Sequence, residues 1–103
     1  MNLNTIMSEV KIKLPSGLTD MISAEEIISL LTGKALSKSE YYLTKCLEME
    51  QEYGMNIADF RKRVQESDQE VFSEWDDLIV WEGYQLAYEE WAEKYRNLKN
   101  CMT

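Results

Sequence analysis

The chain has 103 residues, with 19 acidic against 11 basic side chains, a formal net charge of −8 and a pI near 4.5. That balance opposes non-specific binding to nucleic acid or anionic lipid over most of the surface and favours a basic partner. Forty-five per cent apolar residues with one proline and four glycines exclude a disordered or loop-rich chain and point to one mainly helical domain, while the lack of any histidine excludes serine–histidine and cysteine–histidine triads.

Met1 to Ser8 shows no sustained period, so residues 1–8 read as a flexible N-terminus. From Glu9 to Leu14 the pattern becomes strict. Val10, Ile12 and Leu14 alternate with Lys11 and Lys13, the period of a strand with one buried face, and Pro15, Ser16 and Gly17 end it. A single short strand needs a partner edge for its backbone donors and acceptors. Its simplest source is the same strand of a second copy, so a homodimer paired through this segment is expected.

Ser23 with Glu26 forms a capping box, and Ile27, Ile28, Leu30 and Leu31 give a short helix its apolar face, which Gly33 closes or kinks. A second box, Ser37 with Glu40, predicts a longer helix whose stripe runs Tyr42, Cys46, Met49 and Tyr53, with Leu36, Leu43 and Leu47 beside it. Gly54 is its natural stop. Asn56 caps a brief third helix through Ile57, Phe60 and Val64, and Arg61, Lys62 and Arg63 suit the negative end of its dipole.

Gln65 to Glu70 read as an acidic linker, after which Ser73 caps a final helix reaching to about Lys99. From Trp81 onward Tyr84, Tyr88, Trp91, Tyr95 and Leu98 recur at spacings of three and four. Trp75, Leu78, Ile79 and Leu86 fall on a different side, so the first half of this helix needs cover on two faces, and Gly83 permits close approach there. The fold class expected is therefore mainly α: one short N-terminal strand, then three to four helices, the last one long. Residues 9–64 hold the strand, the first helices and the dimerising part, and residues 65–103 the acidic linker and the aromatic C-terminal helix, within a single domain.

Glu74, Asp77 and Glu82, or Glu90 and Glu93, have helical spacing that could hold magnesium with help from another helix. The helical nucleotide pyrophosphohydrolases place paired acidic motifs on successive helices, whereas here both pairs share one helix. No catalytic residue, metal site or cofactor is predicted, and the chain is read as not an enzyme. Cys46 and Cys101 lack a C-x-x-C spacing; Cys46 reads as a buried apolar side chain and Cys101 as part of a frayed tail. Apolar runs fall far short of the roughly 20 residues that span a bilayer, and the N-terminus lacks the regions of a signal peptide, so a cytoplasmic protein is expected.

Binding remains. Between Val64 and Glu93 lie ten of the nineteen acidic residues and all three tryptophans, with no lysine or arginine. Large amphipathic rings anchor protein partners, and carboxylates steer them. The expected partner-binding set is Trp75, Ile79, Trp81, Leu86 and Trp91 for anchoring, with Glu74, Asp76, Asp77 and Glu82 for charge.

Two resemblances bear on this set. The order strand, proline, helix, glycine, then Ser37, Lys38, Ser39 and Glu40 resembles the ribbon-helix-helix DNA-binding proteins over about a third of the chain. That resemblance implies Lys11 and Lys13 in the major groove of an operator, with Ser37 and Lys38 at a phosphate. Tyr53, Gly54 and Met55 leading to Phe60, then an acidic break and the run from Phe72 to Tyr95, are similar to small acidic proteins encoded beside toxin genes in prokaryotes and taken to be antitoxins. This second resemblance implies a dimerising N-terminal part and a C-terminal arm that covers a basic toxin. Two rival readings stand beside it: an acidic imitation of DNA that blocks a nucleic-acid enzyme, and a helical scaffold or adaptor with no toxin partner.

Overall fold

The computed structural model describes residues 7–68 and 71–101 of the chain. Four helices follow in order: α1 (Ser16–Thr19), α2 (Ala24–Tyr53), α3 (Ile57–Glu66) and α4 (Phe72–Cys101). The two 30-residue helices run antiparallel, since Lys34 lies beside Trp91, Tyr42 beside Tyr84 and Tyr53 beside Asp77. At 1.5 Å per residue each is about 45 Å long, and the molecule measures 64 × 31 × 20 Å.

Local signals set the helix ends. Ser23 Oγ accepts the Glu26 N–H at 3.1 Å, with Glu25 and Glu26 near the positive end of the dipole. Gly54 ends α2 at φ 66°, a left-handed conformation that costs glycine nothing, and its N–H donates to the Glu50 carbonyl at 2.7 Å. Asn56 Oδ1 then accepts the Asp59 N–H at 2.8 Å and starts α3, so the turn between the two helices occupies three residues.

Packing follows from spacing. On α2 the side facing α4 runs through Ile28, Thr32, Ala35, Ser39, Tyr42, Cys46, Met49 and Tyr53, alternating steps of four and three. On α4 the facing side carries Leu78, Trp81, Tyr84, Tyr88, Trp91, Tyr95 and Leu98 at matching steps. Such a repeat keeps two helices in register along their length. Small Ala35 and Ser39 lie fully or nearly buried on α2. The dense core sits at the turn end, where α3 folds onto α4: Cys46, Met49, Phe60, Val64, Leu78 and Trp81 form one cluster, and Tyr53, Met55, Ile57 and Tyr84 pack around it. Ring centres of Phe60 and Trp81 lie 5.4 Å apart and those of Tyr53 and Phe60 4.1 Å, within the range of favourable aromatic contact.

Three expectations are corrected. Among the described residues there is no strand: the segment containing Val10, Ile12 and Leu14 is exposed and has no neighbouring edge, so the alternation lacks the partner that would make it a strand. Gly33 neither closes nor kinks a helix, because α2 passes through it without interruption, and Ser37 and Glu40 lie on an exposed face of its interior and cap nothing. The final helix begins at Phe72, so Ser73 lies inside its first turn and does not cap it, and the helix runs to Cys101. The flexible reading of residues 1–8 falls, for residues 1–6, outside the described residues, as do Gln69 and Glu70 of the acidic linker. Pro15 precedes the single turn of α1, with Thr19 Oγ1 donating to the Ser16 carbonyl at 3.0 Å.

Candidate protein-binding surface

The α4 helix has three sides in its first half. One meets α2 and a second meets α3, which leaves a third turned outward. Helical spacing places Phe72, Trp75, Ile79 and Leu86 along that outer side. Phe72 is 73% exposed, Ile79 66%, Leu86 57% and Trp75 37%. Trp75 is the least open because its ring leans toward α3 and borders a small crevice with Val64, Ser67 and Val71. Gly83 lies between Ile79 and Leu86, and an added methyl there would meet no heavy atom within 4 Å. A second body can therefore approach the backbone closely at that point. A shallow depression beside Gly83 is lined by Leu86, Glu82 and Glu89 of α4 and by Ile57 and Arg61 of α3.

The predicted charges are spent differently from the expectation. Glu74 receives both Nε and Nη2 of Arg63, at 3.0 and 3.1 Å, in a forked ion pair. Glu82 Oε1 takes Nε of Arg61 at 3.1 Å. Asp77 accepts the Tyr53 hydroxyl. These three carboxylates thus tie α3 and the end of α2 to α4, whereas Asp76, exposed beside the apolar side, makes no such tie. Burial, followed by the Asp77 hydrogen bond and the nearby negative charge, raises the Tyr53 pKa far above the usual tyrosine range. The basic triplet that read as a dipole effect supplies the pairing cations; arginines in α3 at i and i+2 were the signal that α4 carboxylates would be needed as partners.

The tryptophans separate as well. Trp81 is 1% exposed and stacks within the core, so its expected role as a partner anchor is withdrawn: its ring is already packed against Phe60 and Tyr53. Trp91 faces α2 at the open end of the hairpin, half-buried, with the ammonium groups of Lys34 and Lys94 at 5.9 and 4.5 Å from its ring centre. It faces α2 and so does not share the outer side of Phe72, Ile79 and Leu86. Trp75, Ile79, Asp76 and Leu86 are brought together; Phe72, which the sequence reading did not single out, joins them because it stands seven residues before Ile79.

The operator-contacting set does not assemble. Lys11 and Lys13 lie in the exposed N-terminal segment, and Ser37 and Lys38 sit inside α2, where no free helix N-terminus is available to a phosphate. Cys46 is buried and Cys101 exposed, and both are free thiols. Burial, then Glu50 and Glu89, pushes the Cys46 thiol pKa upward, which makes it a poor nucleophile. Among the described residues no group of three or more cysteine or carboxylate side chains is placed to hold a metal ion, and no helix is long and apolar enough to cross a membrane.

Comparison with protein-family models, with curated proteins and with solved structures gives no match for this chain.

Proposed function

We propose that this chain is a protein-binding module that presents the outer side of α4 to a basic partner, and that its biological form is a cytoplasmic antitoxin neutralising a basic toxin by occlusion. One observation carries the reading: α4 keeps Phe72, Ile79 and Leu86 exposed on one line although the helical hairpin already has its own core of Trp81, Phe60 and Leu78. A contiguous apolar line rimmed by charge marks an interaction surface more often than scattered exposed side chains do. Asp76, Glu89 and Glu90 are exposed beside it and supply the negative rim. Carboxylates at a rim speed encounter with a cationic partner, and apolar side chains at the centre hold it.

The rival that imitates DNA needs unpaired carboxylates in phosphate-like array. Glu74 and Glu82 are neutralised by Arg63 and Arg61, which weighs against it. The test is co-expression with the product of the neighbouring gene, followed by co-purification. Capture is expected to be lost on Ile79→Asp with Leu86→Asp, at a cost of about a hundredfold or more in affinity, while helicity is retained. Failure to co-purify with wild type, or equal capture by the double variant, would overturn the proposal. A steep loss of affinity with salt but no effect of the double variant would instead favour the DNA imitation.

A further inference from the structure

The flank of the hairpin opposite α3 carries a second repeat of steps of four and three, and its charges are ordered along the rod. On α2, Lys34 and Lys38 lie toward the open end, Tyr41 and Lys45 in the middle, and Glu48 and Glu52 toward the turn. On α4 the same flank carries Lys94 near the open end, Asp76 at the turn end where it borders the outer side, and Val80 and Ala87 between them. Glu90 is the carboxylate out of sequence, one turn from Lys94 on the same helix. Across the hairpin, Lys34 and Lys94 bracket Trp91 over a shallow pocket lined by Leu31 and Leu98, and along α2 Lys45 lies 5.5 Å from the Tyr41 ring centre and 3.5 Å from Glu48.

The α2 stripe reads as its own complement. Counted from the level of Leu43, Lys34 and Glu52 lie nine residues to either side, Lys38 and Glu48 five, and Tyr41 and Lys45 two. Tyr42 packs on Tyr84, so that level on α4 falls beside Gly83, with Val80 and Ala87 straddling it. We propose that this flank is the contact between two copies of the chain, laid antiparallel about a two-fold axis at the level of Leu43 and Tyr84. A two-fold axis across the rod brings each basic end onto an acidic end, and it does so twice. Lys34 then meets Glu52 of the second copy, Lys38 meets Glu48, and Lys45 lies over Tyr41 as it already does within its own chain.

A parallel pairing, or a rotation that stacks like ends, would instead oppose lysines with lysines. Small Ala87 lets the two α4 helices come close near the axis. Two helices about 45 Å long and about 20 Å wide together offer roughly 900 Å² per copy, enough for a specific contact of standard size, which takes about 800 Å² per partner. This flank meets the Phe72 to Leu86 side of α4 only along its rim, at Asp76 and Glu90, so a dimer leaves Phe72, Ile79 and Leu86 open.

Light scattering and sedimentation of the full chain test the inference, with circular dichroism as the control for folding. Wild type is expected to be a dimer whose dissociation constant rises with salt. Lys34→Glu with Lys38→Glu should weaken it by about tenfold or more at low ionic strength, as should Glu48→Lys with Glu52→Lys, and all four changes together should restore it to within about threefold. A monomer at every concentration, or a four-fold variant no better than either pair, would overturn the proposal. So would a dimer indifferent to these reversals but lost on Leu36→Glu with Leu43→Glu, since that contact would lie on the α3 side. None of these variants touches the outer side of α4, so partner capture and self-association are read separately.

Discussion

Trp81 and Trp75 are six residues apart on one helix and do different work. Trp81 fills the core between Phe60, Tyr53 and Leu78, so Trp81→Ala leaves a cavity that α3 cannot collapse into and is expected to destabilise the fold by about 3–5 kcal/mol in urea denaturation. Trp75 is partly open, and Trp75→Ala should cost about 1 kcal/mol of stability or less. Tyr53 makes a second distinction. Its folded pKa is raised by burial and by Asp77, so the folded state holds the phenolic proton more tightly than the unfolded chain. That contribution is fully present below the unfolded value of about 10 and is lost as pH rises from there toward the folded value. Melting temperature should therefore fall above pH 10 in wild type. In Tyr53→Phe the fold should be weaker by about 1 kcal/mol at neutral pH, and this part of the alkaline fall should disappear.

The glycines show what an element can absorb. Gly54 needs its positive φ, and Gly54→Ala should destabilise by about 1 kcal/mol, whereas Gly33 sits in open space inside α2, and Gly33→Ala should stabilise by a similar amount in thermal melts. That contrast also explains which boundaries could be read from the chain. Ser23, Gly54 and Asn56 were legible because each acts where the apolar repeat itself starts or stops. Gly33 and the Ser37–Glu40 box misled for the opposite reason. The repeat on α2 continues through them as Ile28, Thr32, Ala35 and Ser39, but two small residues and a threonine disguise it as polar sequence, and a cost of about 1 kcal/mol for one glycine does not break a helix packed along its length. The aromatic series on α4 was plain in the sequence. Which of its rings would be inside was not, because that depended on α3 crossing α4 at Leu78 and Trp81, a contact set by Phe60 and Val64 from another element. The outward Ile79 and Leu86 were legible as a separate side, and Phe72 was hidden at the helix start.

For the molecule as a whole, the N-terminal segment contributes little to the hairpin: Met7, Val10, Ile12, Leu18 and Met21 are all exposed. A chain beginning at Ile22 is expected to keep the melting temperature of the full protein within about 4 °C, since loss of surface side chains costs at most about 0.5 kcal/mol. A larger drop would mean that these side chains are covered in solution. The core is also distributed unevenly, with every member of the main cluster between Cys46 and Trp81, while the other end of the rod is held by half-buried rings and lysine stems. The two long helices are thus riveted at the loop and merely buttoned at their tips. Amide exchange should register this as a gradient, slow around Met49 and progressively faster toward Ile27 and Leu98, so that the molecule opens like tweezers from the tips while the riveted end stays shut.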